Sequence, residues 1–276
     1  MKLTFESDLQ FQQDAIKSIT NIFEGQPLED AVQEFDLTES GTLSLINGVG
    51  NNLVISQEQI LSNLQNIQET NDIKKSVKLD GMNFSVEMET GTGKTYVYLR
   101  TIYELNKLYN FKKFVIVVPS VAIREGVLKN LEITTEHFQN LYDNVPVNFQ
   151  VYDSTKVSAL RSFATNNTIE ILVINIDSFA KDQNIINQPH YKANGRKPIE
   201  FIQSTNPFVI IDEPQNMETE KRNAAIKNLN AICTLRYSAT HRNQYNLTYS
   251  LNPVKAYDLG LVKQIEVDSI IEENAF

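Results

Sequence analysis

One cysteine, Cys233, in 276 residues rules out an intrachain disulfide framework. It lies in "AICTLRYSAT" among apolar neighbours, the setting of an inert packing residue. Histidine is also scarce. His137, His190 and His241 are scattered, and no Cys/His spacing suggests zinc. No apolar run reaches the ~18–20 residues that span a bilayer. The opening "MKLTFESDLQFQQD" lacks a secretory signal's apolar core and cleavage site, so a cytoplasmic chain is expected. The sequons at Asn166 and Asn246 then carry little meaning. Positive charge is the last shortage: 25 Lys and Arg face 34 Asp and Glu, a net charge of −9. That argues against nucleic-acid binding by bulk electrostatics alone. A local cationic groove, or contacts from helix N-termini, remains open.

What is present is alternation. From about residue 83, apolar runs ("NFSVEM", "KKFVIVVP", "VNFQVYDS", "IEILVINI", "PFVIIDE", "AICTLRYSA") are separated by helical stretches. Runs without polar alternation mark strands buried on both faces, and strands alternating with helices imply right-handed βαβ units in a parallel sheet. "KTYVYLRTIYELNKLY" places Tyr98, Ile102, Leu105 and Tyr109 on one helical face. "SVAIREGVLKNLEITTEHF" reads as a helix with Ser120 as its N-cap. Residues 1–82 differ. "DLQFQQDAIKSITNIFEG" is an amphipathic helix with Leu9, Ile16, Ile19 and Phe23 as core candidates, ended by Gly25 and Pro27. A loop with a short hairpin around "NG" follows, and then a second helix starting at Ser56. "KDQNIINQPHYKANGRKPIEF" reads as a polar, mobile insertion between strands. "VDSIIEENAF" stops in mid-pattern, so the chain is expected to be a fragment.

Two motifs carry chemistry. "METGTGKT" (Met88 to Thr95) follows a strand and opens a helix, as a phosphate-binding loop requires, except that Met88 replaces the first glycine of G-x-x-x-x-G-K-[ST]. The backbone amides of Thr90, Gly91, Thr92 and Gly93 would surround phosphate oxygens, with the helix N-terminus adding positive charge. Lys94 would reach the β- and γ-phosphates, and Thr95 would ligate Mg²⁺. Without that context the run would be an exposed loop. "FVIIDEPQ" puts Asp212 and Glu213 at the C-terminal end of a buried strand, the edge where ligands sit in α/β folds. Asp212 would hold Mg²⁺, and Glu213 would orient and deprotonate an attacking water. The bland reading is an acidic turn capping the next helix.

These motifs, followed by Ser-Ala-Thr (Ser238 to Thr240), resemble the first RecA-like lobe of a superfamily 2 helicase or translocase, in which Met or Ala often replaces the first loop glycine. "FQQDAI" is similar to the adenine-reading glutamine element of that group, with Gln12 able to pair bidentately with a base edge. "VEMETGTGKTYVYLRTIYELN", "KFVIVVPSVAIREGVLKNLEIT", "ILVINIDSFAK", "IIDEPQNM", "YSATHRNQYNL" and "AYDLGLVKQIEVDSI" together resemble the Res subunit of type III restriction-modification enzymes. The resemblance implies an α/β, RecA-like P-loop domain over residues 83–276, with a mostly parallel sheet flanked by helices. A helical segment carrying the glutamine motif would precede it over residues 1–82. It implies ATP and Mg²⁺ as cofactors, and ATP-dependent translocation on double-stranded DNA with a methyltransferase (Mod) partner. The second RecA-like lobe, with its arginine finger, and the nuclease domain are expected to lie outside this chain. Binding with very slow hydrolysis and no cutting is therefore expected.

The same resemblance puts Ser120 and Arg124 against the DNA backbone, with Asp177, Ser178 and Lys181 near the same track. Ser238 and Thr240 would link the carboxylates to the DNA side, and Gln215 would face the second lobe. For Arg124 a solvated helix-face charge stands equally open, and for Ser238 and Thr240 simple strand-end capping. Two other functions fit the motifs less fully. One is another superfamily 2 motor, such as an RNA helicase or a type I restriction motor. The other is a non-catalytic nucleotide-sensing or partner-binding module.

Overall fold

The structure is a computed structural model that describes residues 5–37 and 47–262. Helix α1 (Gln10–Thr20) buries Ala15, Ile16 and Ile19, while Leu9 just before it is only half-buried. One 3₁₀ turn, Asn21–Phe23, then leads to Gly25 at φ +97°, a left-handed position that suits glycine and stops the helix as expected. Strands β1 (Val32–Asp36) and β2 (Asn47–Asn51) pair antiparallel. The "NG" pair begins β2 and makes no turn; residues 38–46 between the strands lie outside the described set. Helix α2 (Gln57–Thr70) starts at Ser56, whose Oγ accepts from the Gln59 amide at 3.2 Å.

The rest alternates as the apolar runs predict: β3 (Asn83–Met88), α3 (Lys94–Tyr109), β4 (Lys113–Val118), α4 (Val121–Leu141) and β5 (Val147–Val151). Then come α5 (Ser158–Thr165), β6 (Ile169–Asn175), α6 (Ile199–Gln203), β7 (Phe208–Asp212), α7 (Glu220–Lys227) and β8 (Cys233–Ser238). Strand β9 (Leu247–Leu251) and helix α8 (Pro253–Asp258) close the described chain. The sheet order is β5-β6-β4-β7-β8-β3-β9, and every neighbouring pair is parallel. This is the α/β arrangement expected from the sequence, a parallel central sheet flanked by helices. Residues 181–201 are not a loose insertion. They form two 3₁₀ turns running into α6 and bury Ile186, Ala193, Ile199 and Phe201, apolar positions dispersed among Asn, Gln and Lys.

Alternate residues of the central strands face opposite layers, as the pleat requires. Ile116 and Val118 of β4 join the core under α1 to α4, while Val115 and Val117 join the core under α5 to α7. Helices α1 and α2 share the first of these cores with the sheet. Phe23 fixes them there, its ring lying 5.2–6.5 Å from those of Phe84, Tyr109, Phe111 and Phe208. No helix among the described residues is long and apolar enough to cross a membrane.

Asn51, fully buried, fastens the N-terminal ribbon beneath the sheet. Its Nδ2 donates to the carbonyls of Lys113 (2.8 Å) and Asn206 (3.2 Å), and its Oδ1 accepts from the amides of Lys112 (2.8 Å) and Lys113 (3.1 Å). All four valences of the amide serve the starts of β4 and β7, just ahead of the first β4–β7 ladder pair, Phe114 with Phe208. Removing it strands several buried backbone groups. Asn51→Ala is expected to lower the unfolding free energy by about 3 kcal/mol in denaturant titration. Asn52→Ala, which removes one exposed bond to Asp30 O, should cost less than ~1 kcal/mol.

Candidate nucleotide site

Strand β3 ends at Met88, which is fully buried in the core. The position that departs from the general loop pattern is thus a core residue beneath the loop. Residues 89–93 turn back over it through Glu89. Its carbonyl accepts from Thr92 Oγ1 at 2.6 Å, and its Oε1 accepts from the Thr90 amide at 2.8 Å. Gly91 and Gly93 have φ of +84° and +91°. The left-handed φ demands glycine at 93, and a Cβ there would also come within 2.6 Å of Gln12 Nε2, displacing that side chain from the loop. Gly93 is the N-cap of α3 and offers no side-chain acceptor, which leaves the first amides of a 16-residue helix for an anion.

Asp212 is the last residue of β7, one strand away from β8 and two from β3. Glu213 follows with φ +55° and ψ 59°, a left-handed conformation held by its amide bond to Tyr237 O (3.0 Å) and by Pro214. A bulky non-glycine residue in that region is strained, and here the strain turns the carboxylate back across the sheet edge. Glu213 Oε1 lies 3.2 Å from Lys94 Nζ, and both side chains are largely shielded. Lys94 Nζ is also 3.5 Å from Met88 O. Glu213 Oε2 accepts from Gln215 Nε2 at 2.7 Å, and Ser238 Oγ lies 2.7 Å from Gln215 Oε1. Ser238 Oγ in turn accepts from the Thr240 amide at 3.0 Å. Ser238 is fully buried beside the carboxylates, whereas Thr240 is exposed and meets Ser238 through its backbone.

Burial pushes the Asp212 carboxyl up to about 6. The neighbouring Glu213 charge adds to the rise, while Lys94 and a hydrogen bond from Tyr98 oppose it. Tyr98 Oη donates to Asp212 Oδ2 at 3.3 Å and also bonds to Thr95, linking the two oxygen donors proposed for a cation. Its contact with Asp212 was hidden in the sequence because Tyr98 falls in phase with the apolar stripe of α3. Carboxylate and hydroxyl oxygens are the donor set of a hard cation, and Asp212 lacks a full counter-charge, so these residues fit Mg²⁺. Among the described residues no group of three or more His, Cys, Asp or Glu forms a metal cage, so water and phosphate would have to complete its shell.

A cleft of about 580 Å³ brings together Gln12, Gly91, Gly93, Lys94, Thr95, Asp212 and Glu213. Gln12 is buried, and its Nε2 donates to the loop carbonyl of Thr92 at 3.1 Å. A second cleft, of about 1030 Å³, lies beyond the C-terminal ends of β4, β5 and β6. Arg124 and Ser178 line it, as do Lys156, Asp153 and Asp177. Ser120 Oγ caps α4 through the Ile123 amide at 3.3 Å. The Arg124 guanidinium lies 2.8 Å from Glu125 and Asp177 pairs with Arg222 at 2.8 Å, so the charges of this groove are partly balanced within the chain. Lys181 is exposed. Cys233 is buried, and burial pushes its thiol well up, in keeping with an inert packing residue.

The family described as "Type III restriction enzyme, res subunit" matches residues 10–243. The Type III restriction-modification enzyme EcoPI Res subunit of Escherichia phage P1 is 30% identical over 286 residues, covering 95% of this chain and 28% of that protein. The EcoP15I Res subunit of Escherichia coli is 30% identical over 295 residues, with the same two coverages of 95% and 28%. A solved nuclease-deletion mutant of the Type ISP restriction-modification enzyme LlaGI, in complex with a DNA substrate mimic, aligns at a TM-score of 0.45 and 14% identity over 73% of this chain and 20% of that one. The chain therefore spans a little over a quarter of the length of these curated relatives, at 28%. With a match that spans the phosphate-type loop, the Asp-Glu pair and the Ser-Ala-Thr segment, the chain belongs to the type III restriction enzyme Res subunits.

Proposed function

We propose that this chain is the ATP-binding first motor lobe of a type III restriction enzyme, which moves on double-stranded DNA and works with a methyltransferase subunit. The observation that carries the reading is the Lys94–Glu213 contact, 3.2 Å across, set at an uncapped helix N-terminus beside a buried aspartate. Loop amides and Lys94 bind the phosphates. Lys94 then exchanges Glu213 for phosphate oxygen, which frees Glu213 Oε1 to accept a proton from water. Gln215 and Ser238 keep the other carboxylate oxygen in place. Gln12 Oε1 accepts from the adenine amino group while its Nε2 stays near the loop. Thr95 and Asp212 are the residues that would hold Mg²⁺, which when bound would neutralise phosphate charge. The second cleft is the proposed track for the DNA backbone. Arg124 and Ser178 line it, and Ser120 caps α4 at its rim. Contacts to phosphate carry no base information, which suits movement along any sequence.

Lys94→Ala is expected to weaken Mg-ATP binding about 10- to 100-fold by calorimetry, the loss of one charge-assisted contact; unchanged affinity would sink the assignment. ATP turnover by this chain alone should fall ~10³–10⁵ below motor rates, because no arginine from a second lobe completes the site; turnover at motor rates in a coupled phosphate assay would count against it.

Asp212 gives a pH signature. Its folded value of about 6 lies above its ordinary 3.8, so between these pH values the unfolded chain binds fewer protons and stability falls as pH rises. The penalty is complete above pH 6. Without Mg²⁺, Asp212→Asn should stabilise the chain at pH 7 by on the order of 2 kcal/mol, and the gain should vanish below about pH 4. Denaturation midpoints across pH would show this.

A further inference from the structure

One wall of the nucleotide cleft is built from a stretch with no helix or sheet ladder of its own. Phe5, Glu6, Leu9 and Gln12 line the cleft opposite the glycine loop, and residues 5–9 precede α1 as irregular backbone. Helix α1 starts on Leu9, which provides no side-chain cap; the amides of Gln12 and Gln13 both bond to its carbonyl. The placement of residues 5–9 therefore sets the first turn of α1, and with it the Gln12 amide.

What holds that stretch is Arg100. It lies on α3 six residues after Lys94 and is only 6% exposed. Its Nη1 donates to Ser7 O at 2.5 Å, and Gln13 Nε2 donates to the same carbonyl at 2.6 Å. On the other side Arg100 Nε donates to Tyr142 Oη at 3.2 Å, which donates to Glu104 Oε1 at 2.7 Å. Tyr142 follows the last residue of α4. The guanidinium fork thus joins the cleft wall to the far end of α4, two directions at once, which a lysine ammonium on a flexible stem would not reproduce. Aromatic packing runs along the same seam. Phe5 stacks on Tyr96 (6.0 Å), Tyr96 packs on Phe138 (5.3 Å), and Phe138 on Tyr103 (4.7 Å). His137 of α4 bonds to Tyr96 Oη at 2.9 Å through Nε2 and lies against Phe5.

We propose that Arg100 is a positioning residue for base selectivity: through Ser7 O it holds the Phe5–Leu9 wall so that the Gln12 amide presents an acceptor to an adenine amino group and disfavours a guanine oxygen. This rests on the base reading proposed for Gln12. It makes no demand on the phosphate contacts, which come from the loop and Lys94 on the opposite wall.

The test is calorimetry on the 276-residue chain with Mg-ATP, Mg-GTP and Mg-tripolyphosphate, for the parent, Arg100→Gln, Arg100→Lys, Tyr142→Phe and Gln12→Ala. The parent is expected to prefer ATP over GTP. Arg100→Gln and Arg100→Lys should each weaken ATP about tenfold and abolish the preference, with tripolyphosphate affinity held within about twofold. Tyr142→Phe keeps the ring packing, removes only the hydroxyl, and should lose part of the preference; it carries the test if the Arg100 variants do not fold. Parallel weakening of ATP and tripolyphosphate would make Arg100 merely structural and overturn the proposal. Preference lost in Gln12→Ala yet kept in Arg100→Gln, or in Tyr142→Phe where the Arg100 variants do not fold, would overturn it too while leaving the base reading intact. Equal affinity of the parent for ATP and GTP would overturn both.

Discussion

A lysine and a glutamate that face each other at 3.2 Å across the C-terminal edge of a parallel sheet set the terms for the rest of this protein. The two charges arrive from different strands, Lys94 after β3 and Glu213 after β7, with β8 between them. Both reach one rim because β3 and β7, each parallel to β8, end at the same edge of the sheet. The cost of bringing a largely shielded ammonium and carboxylate together roughly offsets their attraction. Such a pair adds little to folding, and in the proposed reading its exchange for phosphate would cost little. Its strained left-handed glutamate is tolerated because the Tyr237 carbonyl, Pro214 and the Gln215–Ser238 contacts all hold it from behind.

Around that contact the apolar layers do the positioning. Met88 lies buried beneath the loop, and the loop folds over it through Glu89. The N-terminal helices are part of the same core, pinned at one end by Phe23 and underneath by Asn51. Gln12 bonds to the loop at Thr92. A ligand in the cleft would therefore touch three elements distant in sequence: the stretch before α1, the start of α3 and the end of β7.

Much of this was legible from pattern. The uniformly apolar runs became the central strands because residues buried on both faces leave no polar alternation, and Ser56 and Ser120 became N-caps as their chemistry favours. The same rule explains what was missed. Strand β9 sits at the sheet edge and is partly exposed, so "LTYSL" alternates weakly; α5 has only 8 residues. The 181–201 stretch looked loose because its buried residues are spaced among amides with no single period.

The sequence by itself determined the phosphate-type loop and the acidic pair, because glycine spacing, a lysine at a helix start and carboxylates after an apolar run are constraints of local backbone chemistry; the family followed from the resemblance of longer blocks. Tertiary structure alone decided which groups meet. Tyr98 bonding to Asp212, Gln12 closing over Gly93, Arg100 reaching Ser7 and Asn51 serving two strand starts are all contacts between residues that the chain separates and the fold superposes. Such contacts leave no periodicity, since each depends on the direction of one side chain across a packed interface.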